Sequence, residues 1–319
     1  MKAIVSGGCG FIGFNLCQTL MKNNWSQWTV CVVEDLSSGK KWNQVDGIKY
    51  YFQPLESIID ELVQNFQPDV IFHLAAVPRV TYSVEHPYET TQSNLISTLK
   101  LLEAVRKYKK HHTRIIFSSS SSVYGETKIL PTSTSSSPNP QSPYALQKWQ
   151  GEQWCKLYSQ LYGLDTVCLR YFNIIGKHSY YGGPYSTVLS AWLYSLFIDP
   201  EQQPFLEGDG TQTRDFCGVE NVVQANILAA LYEHDKFQGE IFNIAQGQSH
   251  SLLECKDLLE KVSGKKLELE QRPARRGDVK HTLADIKSSK SILGYSPNTN
   301  FETQVTEMAN WFKNEYRSN

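Results

Sequence analysis

The chain has 319 residues, a length suited to one large domain or two of ordinary size. With 40% hydrophobic and 20% charged residues it can bury a substantial core. Lys and Arg total 31 against 32 Asp and Glu, so the formal net charge is −1. That balance provides no global positive field and excludes a general nucleic-acid binder, while leaving room for a small anion held by local cations.

In chain order, Lys2–Ser6 predicts a strand, Phe11–Lys22 a helix, Thr29–Val33 a strand, Ser57–Phe66 a helix and Val70–His73 a strand. Thr91–Lys107 predicts a helix, Arg114–Ser118 a strand, Tyr144–Tyr162 a helix and Thr166–Arg170 a strand. Such alternation predicts an α/β fold, a doubly wound parallel sheet with helices on both faces. The basic run Arg106–His112 reads as a helix end whose cations complement the dipole. Thr132–Ser137, followed by Pro138, Pro140 and Pro143, reads as a solvated loop. After Gly176 the pattern breaks. Residues 177–206 are rich in Tyr, Gly and Pro, then hold one helix pattern. Asn221–Glu233 as a helix and Glu240–Ala245 as a strand return to the sheet, and 251–319 hold short helices.

The seven cysteines are Cys9, Cys17, Cys31, Cys155, Cys168, Cys217 and Cys255. None forms a C-x-x-C pair and several lie in apolar runs, so reduced, buried thiols in a cytoplasmic protein are expected. Met1–Val5 enters a strand pattern with no signal-peptide apolar region. Leu189–Ile198 is too short to cross a membrane, which takes about 20 residues. No membrane partner is expected. Among the eight histidines only His111 and His112 are adjacent, and none has ligand spacing with acids, so no metal is expected.

The first strand runs into Gly7-Gly8-Cys9-Gly10-Phe11-Ile12-Gly13, which satisfies G-x-x-G-x-x-G and contains G-x-G-x-x-G. It opens a helix, and the next strand ends on Glu34-Asp35. Glycines let the backbone approach a pyrophosphate at the helix N-terminus, and an acid at the second strand's end can bind ribose hydroxyls. That acid would repel a 2′-phosphate, so NAD is expected rather than NADP. Tyr144-Ala145-Leu146-Gln147-Lys148 gives Y-x-x-x-K on one helix face. Ser118–Ser122 ends a candidate parallel strand, where ligands of open α/β sheets collect.

Together Gly7–Gly13, SSSSSVYG at 118–125, YALQK at 144–148, LRYFN at 169–173, GDGTQTRDFC at 208–217 and RRGDVKHTLAD at 275–285 resemble the extended short-chain dehydrogenase/reductase superfamily. Within it the chain is similar to the UDP-glucose and UDP-N-acetylglucosamine 4-epimerases. The resemblance implies a Rossmann NAD-binding domain over 1–176 plus about 215–245. It implies a smaller α/β nucleotide-sugar domain over about 177–214 plus 246–319. Tyr144 would be the general base and acid, Lys148 would hold the nicotinamide ribose and lower the phenol pKa, and Ser120 would share the proton. A phenol titrates near 10, so a base at neutral pH needs about three units of phenolate stabilisation, about 4 kcal/mol. NAD would be held by Gly7, Gly10, Phe11, Ile12, Gly13, Glu34 or Asp35, Leu74, Ala75, Ala76, Tyr144, Lys148 and Tyr171. The UDP-sugar would meet Ser120, Asn173, Val188, Phe205, Arg214, Arg275 and Asp278. Thr282, small where a tyrosine restricts the pocket, would admit an N-acetyl group at C2. C4 would be oxidised to a ketone and reduced on its other face. Related epimerisation at another carbon, or net oxidoreduction, would use the same residues. A homodimer through Thr91–Lys107 and Tyr144–Tyr162 is expected, Trp154, Leu157, Tyr158 and Leu161 forming a stripe on the latter. Two departures stand out: Glu34 replaces the usual aspartate, and Gln53-Pro54-Leu55 stands where G-D-I is usual.

Overall fold

The computed structural model describes residues 1–22, 28–127, 129–182, 187–233, 237–274 and 279–316. The chain begins with β1 (Lys2–Ser6), α1 (Phe11–Lys22), β2 (Thr29–Glu34), β3 (Lys49–Phe52), α2 (Leu55–Phe66) and β4 (Val70–His73). Next come α3 (Val80–Glu85), α4 (Pro87–Thr91), a π-helical turn Gln92–Ile96, α5 (Ser97–Tyr108), β5 (Arg114–Ser120) and a 3₁₀ turn Ser121–Tyr124. Then follow α6 (Pro143–Tyr162), β6 (Asp165–Tyr171), β7 (Ile174–Ile175), α7 (Val188–Phe197), β8 (Phe205–Glu207), β9 (Thr213–Arg214) and β10 (Cys217–Gly218). The chain ends with α8 (Val219–Leu231), β11 (Gln238–Ile244), β12 (His250–Ser251), α9 (Leu252–Ser263), β13 (Glu270–Arg272), α10 (Lys287–Leu293) and α11 (Phe301–Asn314).

Seven strands form one parallel sheet in the order β11-β6-β5-β4-β1-β2-β3. The central strands are buried along nearly their whole length, as Val- and Ile-rich runs under helices on both faces must be. Alternation divides their side chains between two cores. Ala3, Val5, Phe72 and Ile116 pack toward α1 and α8, while Ile4, Ile71, Ile115 and Phe117 pack toward α2, α5 and α6. The strand order reverses between β1 and β4, so the crevice beyond their C-terminal ends is the natural ligand site. A third core lies apart from this sheet, built from Trp192 and Leu193 of α7, Leu259 of α9, and Val305, Met308 and Phe312 of α11.

The structure adds to and corrects the sequence reading at several points. Strand β3 was not expected: Lys49–Phe52 has no β-branched residue and its exposed edge gives no apolar alternation, so only pairing with β2 makes it a strand. The helix expected over Thr91–Lys107 starts instead as a π turn. Thr132 is not solvated but buried, its N–H donating to the Leu283 carbonyl at 2.7 Å. The basic end of α5 is followed by His111 and His112, whose Nε2 atoms lie 3.2 and 2.7 Å from Asp69 and Asp165. All seven cysteines are buried.

Candidate active site

The glycine-rich turn is built for close backbone approach. Gly7 has φ +76, and a Cβ there would lie 2.9 Å from the Ala75 backbone after β4. A Cβ on Gly13 would collide with the Gly7 carbonyl. The N-terminus of α1 therefore opens onto a cavity of about 490 Å³ at the β1/β4 crevice. Gly7, Gly10, Phe11, Ile12, Gly13, Glu34, Asp35, Leu74, Ala75, Ala76 and Tyr171 all line it. A helix N-terminus, glycines without side chains in the way, and an acid at the end of β2 fit a dinucleotide.

The two acids differ. Asp35 is exposed and accepts the Ser37 N–H at 2.8 Å and its hydroxyl at 2.6 Å, a local turn. Glu34 is buried, with one carboxylate oxygen accepting the Cys9 N–H and the other the Leu36 N–H, both at 3.0 Å. Burial pushes its carboxyl up and those N–H donors pull it back. A carboxylate has about four acceptor positions, so Glu34 keeps capacity for ribose hydroxyls. At the departure from G-D-I, Gln53 and Leu55 also line the cavity.

Ser142 caps α6 by accepting the Ala145 N–H, and Pro143 occupies the first helical position. This start fixes Tyr144 and Lys148 one turn apart, facing the end of β5. Both are buried and line the cavity with Ser120. The Lys148 Nζ donates to the Ser118 carbonyl at 2.7 Å and lies 6.0 Å from the Tyr144 ring centroid. Burial pushes the Tyr144 phenol up to about 12, opposed by hydrogen bonding with the Ser120 side chain. Burial lowers Lys148 to about 8, opposed by Cys155 and Glu152. An ammonium has three donors, so the bond to the Ser118 carbonyl leaves Lys148 capacity toward a ligand in the cavity. Behind Lys148, His73 is buried and held neutral, its pKa lowered to about 3 by burial and then by Lys148.

Asn173 and Thr282 line the far wall of the same cavity with Arg214. The Asn173 amide donates to the Thr282 hydroxyl and the Asp215 carbonyl, both at 3.1 Å. The Thr282 hydroxyl also accepts the Asp215 N–H at 3.0 Å. Asp215, fully buried, accepts N–H groups from Gln246, Gly247 and Ala284. It is the hub of this wall, and the sequence reading missed it although it follows Arg214 directly. The Arg214 Nη1 donates to the carbonyls of Thr213 and Lys280. Val188 and Phe205 are not brought to the cavity. Val188 packs on the third core, and the Arg272 guanidinium covers the Phe205 ring at 3.9 Å. Arg275 and Asp278 lie outside the described residues. Among the described residues no group of acids, His and Cys could hold a metal. None of their helices is long and apolar enough to cross a membrane.

Three solved structures share this fold. A UDP-glucose 4-epimerase from Thermotoga maritima, crystallised with UDP-glucose, has TM-score 0.90 and 32% identity, covering 98% of this chain and 99% of its own. A UDP-N-acetylglucosamine 4-epimerase from Methanobrevibacter ruminantium, in complex with UDP-N-acetylmuramic acid, gives 0.88 and 33%, covering 98% and 97%. A UDP-glucuronic acid 4-epimerase from Bacillus cereus, with UDP-glucuronic acid and NAD, gives 0.89 and 29%, covering 99% and 100%. Residues 3–245 match the NAD dependent epimerase/dehydratase family. With the glycine turn at the switch point and Ser120, Tyr144 and Lys148 gathered beside it, this chain belongs to that family.

Proposed function

We propose that the protein is an NAD-dependent UDP-sugar 4-epimerase that inverts C4 through a transient 4-keto sugar. The observation that carries this is the buried Tyr144 phenol, which shares one cavity with Ser120, the glycine turn and the Asn173–Thr282 wall. Tyr144 takes the C4 hydroxyl proton during oxidation and returns it during reduction. NAD, which the glycine turn, Glu34 and Lys148 would hold, would supply the hydride acceptor and donor for C4. Burial opposes the phenolate, so the base would need cationic charge in the cavity, which oxidised nicotinamide would supply. Lys148, anchored on Ser118, supplies a donor to the nicotinamide ribose. We assign the adenosine ribose to Glu34, which has acceptor capacity left and faces the glycine turn. Arg214 is assigned to the diphosphate, with Arg275 and Asp278 as further contacts. Residues 1–176 with about 215–245 form the NAD-binding unit in this reading, supported by β11 completing the sheet. About 177–214 with 246–319 form the sugar-binding unit, supported by the separate core around α7, α9 and α11.

Thr282 supports acceptance of N-acetylated sugars, because its side chain is short and held against Asp215 rather than extended into the cavity. The test is to incubate the purified protein with UDP-Glc, UDP-Gal, UDP-GlcNAc and UDP-GalNAc and resolve the products. C4 inversion is expected with both pairs, and Thr282→Tyr should remove turnover of the N-acetyl pair selectively. No inversion with any of the four would reject the reaction. Equal activity of T282Y and wild type on the N-acetyl pair would reject the role of Thr282.

The stripe on α6 divides: Tyr158 is buried, its hydroxyl on Glu103 of α5, while Leu157 and Leu161 are exposed. This supports a homodimer through α5 and α6. Sedimentation at micromolar concentration should give twice the chain mass, and Leu161→Asp should halve it. A wild-type monomer would reject the dimer. The seven buried thiols support a reducing, cytoplasmic location.

A further inference from the structure

We propose that Ser122 is a positioning residue: it fills the acceptor sites of Ser120, so the single proton of that hydroxyl is directed at the Tyr144 phenol. The proposal rests on the reading of Tyr144 as the base.

Ser120 closes β5, and Ser122 stands in the 3₁₀ turn that follows. The Ser122 hydroxyl donates to the Ser120 Oγ at 2.9 Å, and the Ser122 N–H donates to the same atom at 3.2 Å. A serine hydroxyl has one proton and two acceptor lone pairs. With both lone pairs engaged, Ser120 can act toward Tyr144 only as a donor. A donor favours the phenolate, which is the direction in which Ser120 acts on this phenol. The Ser120 oxygen is then closed to the sugar's hydroxyl proton, and Tyr144 alone accepts it. A chain of donors running Ser122, Ser120, Tyr144 strengthens each bond by polarisation.

The other serines of the run have different work. The Ser118 carbonyl holds Lys148, and the Ser119 hydroxyl donates to Glu152. Few charged or titratable groups compete at the phenol. Lys148 lies on its own helix, with neutral His73 of β4 behind it. Tyr124 of the 3₁₀ turn donates to Asn243. On α3 and α4, Tyr82 and Glu89 bond to each other, His86 stacks on Tyr82, and Glu85 and Tyr88 are exposed. His178 and Arg214 line other parts of the cavity.

The test compares wild type, S122A and S122T. In S122A the apparent pKa of the base limb of kcat should rise by about half to one unit, lowering kcat at neutral pH about three- to tenfold with KM within about twofold. S122T keeps the hydroxyl and should restore the wild-type profile. S122G removes the same donor and should reproduce the S122A shift if S122A is poorly folded. The Tyr144 phenolate absorbance of NAD-loaded protein, taken as the difference from Y144F, should shift in the same direction without any sugar. An unmoved phenol titration, or an S122T profile as impaired as that of S122A, overturns the proposal. If wild type inverts no UDP-sugar, the reaction fails while the phenol titration still decides the role of Ser122.

Discussion

Tyr144→Phe should lower kcat by about a thousandfold, within the 10²–10⁴ range of a lost general acid–base group. The substitution removes one oxygen and leaves the ring. Tyr144 sits in the first turn of α6, and the helix start depends on the Ser142 cap and Pro143, neither of which involves the phenol. The phenol lines the cavity rather than holding two elements together, so the fold should survive. KM should change little, because the sugar's nucleotide is assigned to Arg214 and its neighbours rather than to Tyr144. Steady-state kinetics of Y144F against wild type, with circular dichroism as the control for folding, make the check. A loss of less than tenfold would show that another group moves the proton and would favour a protein that binds NAD without this chemistry.

Glu152→Ala should cost about 3–5 kcal/mol of stability, the range for breaking a buried ion pair by removing one partner. Glu152 lies one turn beyond Lys148 on α6. Its carboxylate pairs with the Arg170 guanidinium of β6 through two bonds of 2.7 and 2.6 Å, with both side chains at most 2% exposed. Ser119 of β5, the register partner of Arg170, donates to the same carboxylate. The pair thus ties the helix carrying Tyr144 and Lys148 to the two strands whose ends carry Ser120 and Tyr171. Truncation to Ala leaves Arg170 charged and desolvated, with the Tyr124 ring 4.5 Å from its guanidinium carbon as a weak substitute. Denaturant unfolding measures the cost, and E152M/R170M should recover most of it because neither charge is then buried alone. A loss below about 1 kcal/mol for E152A would place the pair among weak surface-type bridges, against its burial.

The two predictions use residues eight apart on one helix, yet only one of the two was legible in the sequence. Tyr144 and Lys148 stand out because Y-x-x-x-K has a local spacing and a nearby serine run. Glu152 continues the same face at the same spacing, but its meaning depends on Arg170, 18 residues away on a strand. Asp215 shows the same limit. Its neighbour Arg214 was singled out, whereas the role of Asp215 comes from N–H groups of residues 246, 247 and 284.

What the sequence by itself determined is the part of this protein set by short-range rules. Gly7–Gly13 at the end of a strand, short β-branched runs, and Tyr144 after a Ser-Pro cap each follow from a few consecutive residues. The tertiary structure decided the rest. It made a strand of Lys49–Phe52 by pairing it with β2, buried Thr132 against Leu283, turned Lys148 to Ser118, and kept Val188 and Phe205 away from the cavity. The physical reason is common to all of these: burial and hydrogen-bond partnership are properties of a place in the fold, contributed by distant parts of the chain, and no local pattern encodes them.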